Sequence, residues 1–389
     1  MGASNLIGQI REFRWRRQGL DGGLANAPAG QVLESTGWMR SVGGAAPYLG
    51  LFARAGLSRE QIDRDAAALR LHELPAARGC TYVVPASDFP LALRAGQGFG
   101  GELAMAKKFL DVTDAEIGKL GARVLDAVKQ PKDPRELKEE LGGAVRNLGE
   151  AGKKRGLTTT LPIALGLLQT RGEIRRVPVG GRLDQQRYAY VRWGLRIPDL
   201  SEEEVAVQLA RRYFRWAAPV SVAQFQWWSG LGARVARAAV AELKLSPLDG
   251  EELAFADDAD ALRSTKPAKE PRVALVSSLD NLFHLRRELE SLADAGDLKR
   301  IPREGRTGGA LMDLPSHAIA QGGRLVGLWE YDAEKEQIVA GVFGKETPAM
   351  KKAISAMEAF VRDQLGDARQ FSLDSMESRK ERLAALRKI

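Results

Sequence analysis

Ten basic residues crowd the stretch 146–192: Arg146, Lys153, Lys154, Arg155, Arg171, Arg175, Arg176, Arg182, Arg187 and Arg192, opposed only by Glu150, Glu173 and Asp184. The chain of 389 residues carries a formal +8, so this one segment, with a local excess of seven, holds nearly all of it. Clustered Lys and Arg neutralise phosphates and release counterions. Gly180-Gly181 lets a turn approach a groove closely, and the loop Asp184-Gln185-Gln186 offers amides to base edges or phosphates. The hydroxyls of Thr158 and Thr159, followed by Thr160 at a helix start, could seat a phosphate. The plainer readings are a solvated basic face and an ordinary N-cap.

Other chemistries are poorly served. One cysteine, Cys80, rules out internal disulfides and a cysteine-built metal site, and the three histidines (His72, His284, His317) lack ligand spacing. No Ser-His-Asp order, Walker loop or dinucleotide fingerprint is present. Gly96 to Gly101 reads as a flexible loop. No window approaches the roughly 18 apolar residues of a membrane helix, and the N-terminus shows no secretory apolar segment. A zinc enzyme is therefore not expected, and the cytoplasm is the default compartment.

The elements that would position these residues follow from periodicity. Thr113 caps a helix to about 128, Asp133-Pro134 opens a second to about 148, and residues 158–170 make a third. After Gly172 the period changes to two, through Ile174, Val177, Tyr188, Tyr190 and Trp193 around Gly180-Gly181. Three helices and a hairpin are the order of a winged helix. The order recurs at 201–257, where Ser201 with Glu204 forms a capping box and Asp249-Gly250 turns a second hairpin. Trp216, Trp227 and Trp228 are stacking candidates, although helical spacing favours core packing, and Gln224 and Gln226 could face DNA.

Four basic residues (Arg11, Arg14, Arg16, Arg17) line a first helix, Ser58 caps another to about 69, and residues 81–84 read as a short strand. Strands are expected at 273–279, 311–314, 324–331 and 337–343, then an amphipathic helix at 350–365 and a basic helical tail at 379–388. The fold class is α+β: tandem winged-helix domains with a small C-terminal β-domain and terminal helices. The units are 1–104 (N-terminal, winged-helix-like), 105–198 (the basic winged helix with its wing hairpin), 199–265 (a further winged helix) and 272–389 (the β-domain), with KPAKEP (266–271) as a linker.

Several stretches together resemble the YcaQ/AlkZ-like superfamily of winged-helix DNA glycosylases. They are PYLGLFARAGLS (47–58), RGCTYVVPASD (78–88), LARRYFRWAAPVSVAQFQWWSGL (209–231), SSLDN (277–281) and GGRLVGLWEYD (322–332). The resemblance implies double-stranded DNA as ligand, damaged by alkylation or crosslinking, and excision of the altered purine without a cofactor. It also implies a Gln-x-Gln or Gln-x-Asp pair, just before the P-Y-L segment, that positions the attacking water. Here that stretch reads Gly37-Trp38-Met39-Arg40-Ser41-Val42, with Arg40 and Val42 where the pair should stand. Arginine accepts no hydrogen bond and valine has no polar atom.

A rebuilt centre could use Arg40 and Ser41 on a phosphate, Trp38 at a displaced base, and Asp63 or Asp65 beside the cationic sugar of depurination. Two readings stand open on these residues: a repair glycosylase with a rebuilt centre, or a catalytically silent DNA-binding or regulatory protein. A protein-interaction scaffold is the third.

Overall fold

Alternation along two short extended segments builds the sheet on which the rest is hung. The computed structural model describes residues 3–97, 101–185, 187–194, 199–248, 250–302 and 311–389. Strands β1 (Met39–Arg40), β2 (Leu71–Pro75) and β3 (Thr81–Pro85) form an antiparallel sheet in the order β1-β3-β2. Val83 pairs with both Met39 and Glu73, so these three stand in one row on one face. That face sends Met39, Leu71 and Val83 into a core shared with the helix Ala46–Ala55 and the C-terminal sheet. The other face sends Leu74, Tyr82 and Val84, with Trp38, into an aromatic core around Trp216 and Trp228. The sheet is covered on both sides, one face sharing a core with residues from 205–255 and the other with residues from 273–368. β2 also lay outside the sequence reading, which found only the strand at 81–84.

The basic region is more self-contained. Helices Asp114–Ala127, Pro134–Leu141 and Leu161–Thr170 enclose a core of Ile117, Leu120, Val124, Leu137, Leu165 and Leu168. Each such side chain contributes about 1.5–3 kcal/mol on burial. The second helix stops at Leu141 rather than 148 because Gly142 turns into the left-handed region (φ 48°). The third starts at Leu161 rather than 158, with Pro162 in its first turn. The hairpin forms as expected from β4 (Ile174–Pro178) and β5 (Tyr188–Arg192), with Gly180 and Gly181 both at φ 77° in its turn.

Residues 202–254 repeat the order: helices Glu202–Ala217, Val222–Ser229 and Ala233–Ala241, then the short strands β6 (Ser246–Pro247) and β7 (Leu253–Ala254). Asp249 of the expected hairpin turn lies outside the described residues. The first helix, Ala3–Arg17, is stapled onto later parts of the chain by its arginines: Arg14 to Glu252, Arg17 to Asp258 and Arg11 to Asp294. The basic face expected there is thus spent internally.

The last sheet runs β11 (Gln337–Val342), β10 (Arg324–Asp332), β9 (His317–Gln321), β8 (Val273–Val276), all antiparallel. β9 replaces the strand expected at 311–314. The expected basic tail is the helix Met376–Leu386, whose Arg379 and Arg382 are buried against Asp367, Asp374 and Glu330. No helix among the described residues is long and apolar enough to cross a membrane.

Candidate active site and basic surface

β2 is an edge strand, and the arm β4 of the basic hairpin lies beside it in a separate two-stranded sheet. Between them opens a cavity of about 190 Å³, lined among others by His72, Glu73, Gln169, Arg175, Arg176 and Trp193. The ring of His72 sits 4.4 Å from Phe89 and 4.9 Å from Trp193, giving the cavity an aromatic wall. Burial and the nearby Arg175 push the imidazole down to about 4, so it is neutral at physiological pH.

Glu73 is the acid of this cavity. Its Oε1 accepts a hydrogen bond from the Ser41 hydroxyl, while Oε2 is buried and has no hydrogen bond of normal geometry among the described residues. Burial holds the carboxyl above the ordinary glutamate range, against the opposing pull of Ser41, Arg176 and Tyr188. Burial and the neighbouring Glu73 also raise the Tyr188 phenol. A carboxyl in a solvent-poor site with one uncommitted oxygen can take a proton from water or face a developing cation.

The residues nominated from sequence scatter around this centre. Ser41 reaches it. Arg40 is on the opposite face, its guanidinium 5.4 Å from the Tyr82 ring centre and donating to the Thr81 carbonyl at 3.2 Å. Trp38 is fully buried, its indole N–H donating to Asp88 at 2.9 Å and its ring 5.5 Å from that of Trp216. With no face open to a base, Trp38 is a packing residue, which corrects its expected place at a displaced base. Asp63 accepts from the Tyr48 hydroxyl and from Arg59 at 2.8 Å, and Tyr48 in turn accepts from the Leu183 amide at 2.9 Å. Asp63 therefore anchors the hairpin turn, and Asp65 pairs with Arg70 at 2.6 Å. Glu73, His72 and Tyr188 were missed. No local periodicity in Leu71-His72-Glu73-Leu74 marks the strand.

The basic block divides into spent and free cations. Arg146 is bound twice by Glu116 (2.7 and 3.0 Å), Lys153 pairs with Glu150, and Arg171 lies 3.9 Å from Glu173. Arg182 binds Asp184 and the Leu365 carbonyl, which removes it from the candidate DNA contacts. Among the described residues, Lys154, Arg155, Arg175, Arg176, Arg187 and Arg192 have no carboxylate partner within 4 Å. Arg155 lies over Phe109, Arg175 over Trp193 and Arg176 over Tyr188. Lys154, Arg187, Gly180, Gly181 and Gln185 are exposed, and Gln186 lies outside the described residues.

Thr158 is exposed, Thr159 is buried, and Thr160 caps nothing: its hydroxyl accepts from the Arg146 amide at 3.1 Å. The helix Leu161–Thr170 bears no charged residue. Cations flank it in the turn before and the hairpin after. Trp216 and Trp228 are core residues, Trp227 is held between Arg78 and Arg287, and Gln224 caps its own helix.

The fold is mixed α+β, with a carboxyl-bearing cavity beside a basic hairpin. A family model described as "DNA glycosylase AlkZ-like" matches residues 33–363, and the chain belongs to that family. The fold is similar to that of Streptomyces sahachiroi DNA glycosylase AlkZ, with a TM-score of 0.68 at 19% identity, covering 94% of this chain and 98% of the other. No curated protein sequence matches the chain.

Proposed function

We propose that this protein is a DNA-repair glycosylase acting on alkylated or crosslinked duplex DNA, its units 105–198 and 199–265 serving as tandem winged helices. The observation that supports it best is the meeting of two features at one place. The hairpin whose cations Arg175, Arg176 and Arg187 lack carboxylate partners is also the wall of the cavity that holds Glu73. Phosphates held by that hairpin would bring a damaged nucleotide to the carboxyl. Lys154, Arg155, Thr158, Gly180, Gly181 and Gln185 are the further contacts proposed for the backbone.

The test is incubation of excess protein with duplex carrying 7-methylguanine. Release of the base, leaving an abasic site, is expected; an intact strand would sink the hydrolytic reading.

One observation favours a second reading, a catalytically silent DNA-binding protein on the same scaffold. The two positions of the expected pair offer no polar couple: Arg40 is occupied by Tyr82 and Thr81, and Val42 has no polar side-chain atom. That reading expects salt-sensitive duplex binding with no base release.

A further inference from the structure

We propose that Glu73 is the catalytic carboxylate of this protein and Ser41 its positioning residue, with the damaged nucleotide's sugar admitted between β2 and β4. This deepens the glycosylase reading and rests on it.

A purely structural carboxylate at this spot would pair with its nearest cation. It does not. The Nε of Arg176 donates to the Gln169 amide oxygen at 3.2 Å, and its guanidinium covers the Tyr188 ring at 4.8 Å. Glu73 is left with one oxygen held by Ser41 and the other buried without a hydrogen bond of normal geometry among the described residues, the Tyr188 phenol standing beside the carboxyl. An unpaired buried acceptor is costly to the fold, and such groups call for a reason beyond packing. The group lies where β1 and β2 converge across β3, so polarity absent from β1 is supplied from the facing strand. Ser41, on the same segment, fixes one oxygen and leaves the other to react. β4 shares no ladder with β2, so the cavity wall can part from the sheet without breaking strand pairing.

The step this arrangement suits is hydrolysis of an N-alkylpurine cation. The C1′–N bond breaks, and its electron pair leaves with the purine, neutralising the purine's charge. Cationic character passes to the sugar, where the Glu73 carboxylate faces it. Water adds its oxygen to C1′ and gives one proton to Glu73, which later releases it to solvent. The products are the neutral alkylated base and a sugar with a 1′-hydroxyl. Water is the one co-reactant, and no oxidant or reductant is needed.

The test uses the full chain and two duplexes, one with a pyrrolidine abasic analogue (cationic at the sugar) and one with the neutral tetrahydrofuran analogue. The wild type is expected to bind the cationic analogue on the order of 100-fold tighter. Glu73→Gln, close in shape, should erase that preference while binding the neutral duplex as before. Ser41→Ala should move the pH midpoint of the preference upward, because the carboxylate loses its donor; a merely structural serine would not shift it. Equal wild-type affinity for the two analogues, or a preference that survives Glu73→Gln, overturns the assignment and leaves the glycosylase reading intact. Failure to bind either duplex at low salt overturns both. Far-ultraviolet spectra and melting curves of each variant identify loss by unfolding. If Glu73→Gln does not fold, Glu73→Asp replaces it and should weaken the preference by shortening the reach.

Discussion

The guanidinium of Arg54 meets the carboxylate of Asp280 in two parallel hydrogen bonds of 2.7 and 2.9 Å, with the two side chains only 0% and 2% exposed. Arg54 is in the helix Ala46–Ala55, which covers the three-stranded sheet, and Asp280 follows β8. The pair joins the N-terminal sheet to the C-terminal β-domain across 226 residues of sequence. Gln18 and the Gly50 carbonyl take further donors of the same guanidinium. Bidentate geometry is what lets such a buried pair repay its desolvation.

Removing one member strands the other. Arg54→Met is expected to lower the unfolding free energy by about 3–5 kcal/mol. Asp280→Leu on top of it should restore only part, because Asp280 also caps the Leu282 amide at 3.0 Å. Urea denaturation of the two single variants and the double closes the cycle, and strictly additive losses would contradict coupling.

The segment after β1 is clamped from the C-terminal side. The Ala45 amide donates to the Arg369 carbonyl at 2.8 Å, and Ser372 donates to Val42 at 3.0 Å. A Cβ on Gly44 would fall 2.3 Å from the Gln370 carbonyl oxygen. Gly44→Ala is therefore expected to cost about 1–3 kcal/mol and to displace Ser41 from Glu73. Melting curves, together with the analogue-binding preference, check both effects, and a variant with wild-type values would refute the clamp.

Spent and free cations separate in a salt titration. Lys154→Glu and Arg187→Glu should each lower the magnitude of the slope of log binding constant against log salt by about 1. Arg182→Glu acts on the fold: it sets a like charge against Asp184 and loses the Leu365 carbonyl, costing about 1–3 kcal/mol of stability. A slope unchanged by the first two variants, or lowered by Arg182→Glu without loss of stability, would place the DNA contacts elsewhere.

Acid should weaken the fold through two histidines. Burial, with neighbouring arginines, brings His72 and His284 each down to about 4. Their unfolded values lie near 6.5, so between these limits the unfolded chain binds more protons and stability falls as pH falls. Each group adds a slope of at most about 1.4 kcal/mol per pH unit, and the loss is complete below about 4. Glu73, raised in the fold, acts in the opposite sense: its contribution fades as pH rises through the carboxylate range. Stability of His72→Phe measured from pH 7 to 4 should follow a flatter curve than the wild type.

Features set within a turn of helix were legible in the sequence. Ser58 with Gln61, Asp133 with Glu136 and Ser201 with Glu204 cap their helices as i, i+3 chemistry requires, and Gly180-Gly181 turns the hairpin. Charge count also placed the basic block. It could not tell which cations were free: Arg146 is neutralised by Glu116, 30 residues away, and although Arg182 and Asp184 are only two residues apart, a charge count does not show that they pair. Nor did periodicity find β2, in which the adjacent polar pair His72-Glu73 breaks any alternation.

The sequence by itself thus determined the family, the local elements and the electropositive hairpin. Tertiary structure alone decided the site. Ser41 and Glu73 are 32 residues apart, and Tyr188 and Arg176 more than 100 from either. They meet only because β1 and β2 flank β3 while the hairpin docks through Leu183 onto Tyr48. Which carboxyl is buried, and which of its oxygens lacks a partner, follows from that docking. No local pattern encodes it, since desolvation depends on what the rest of the chain lays over the group.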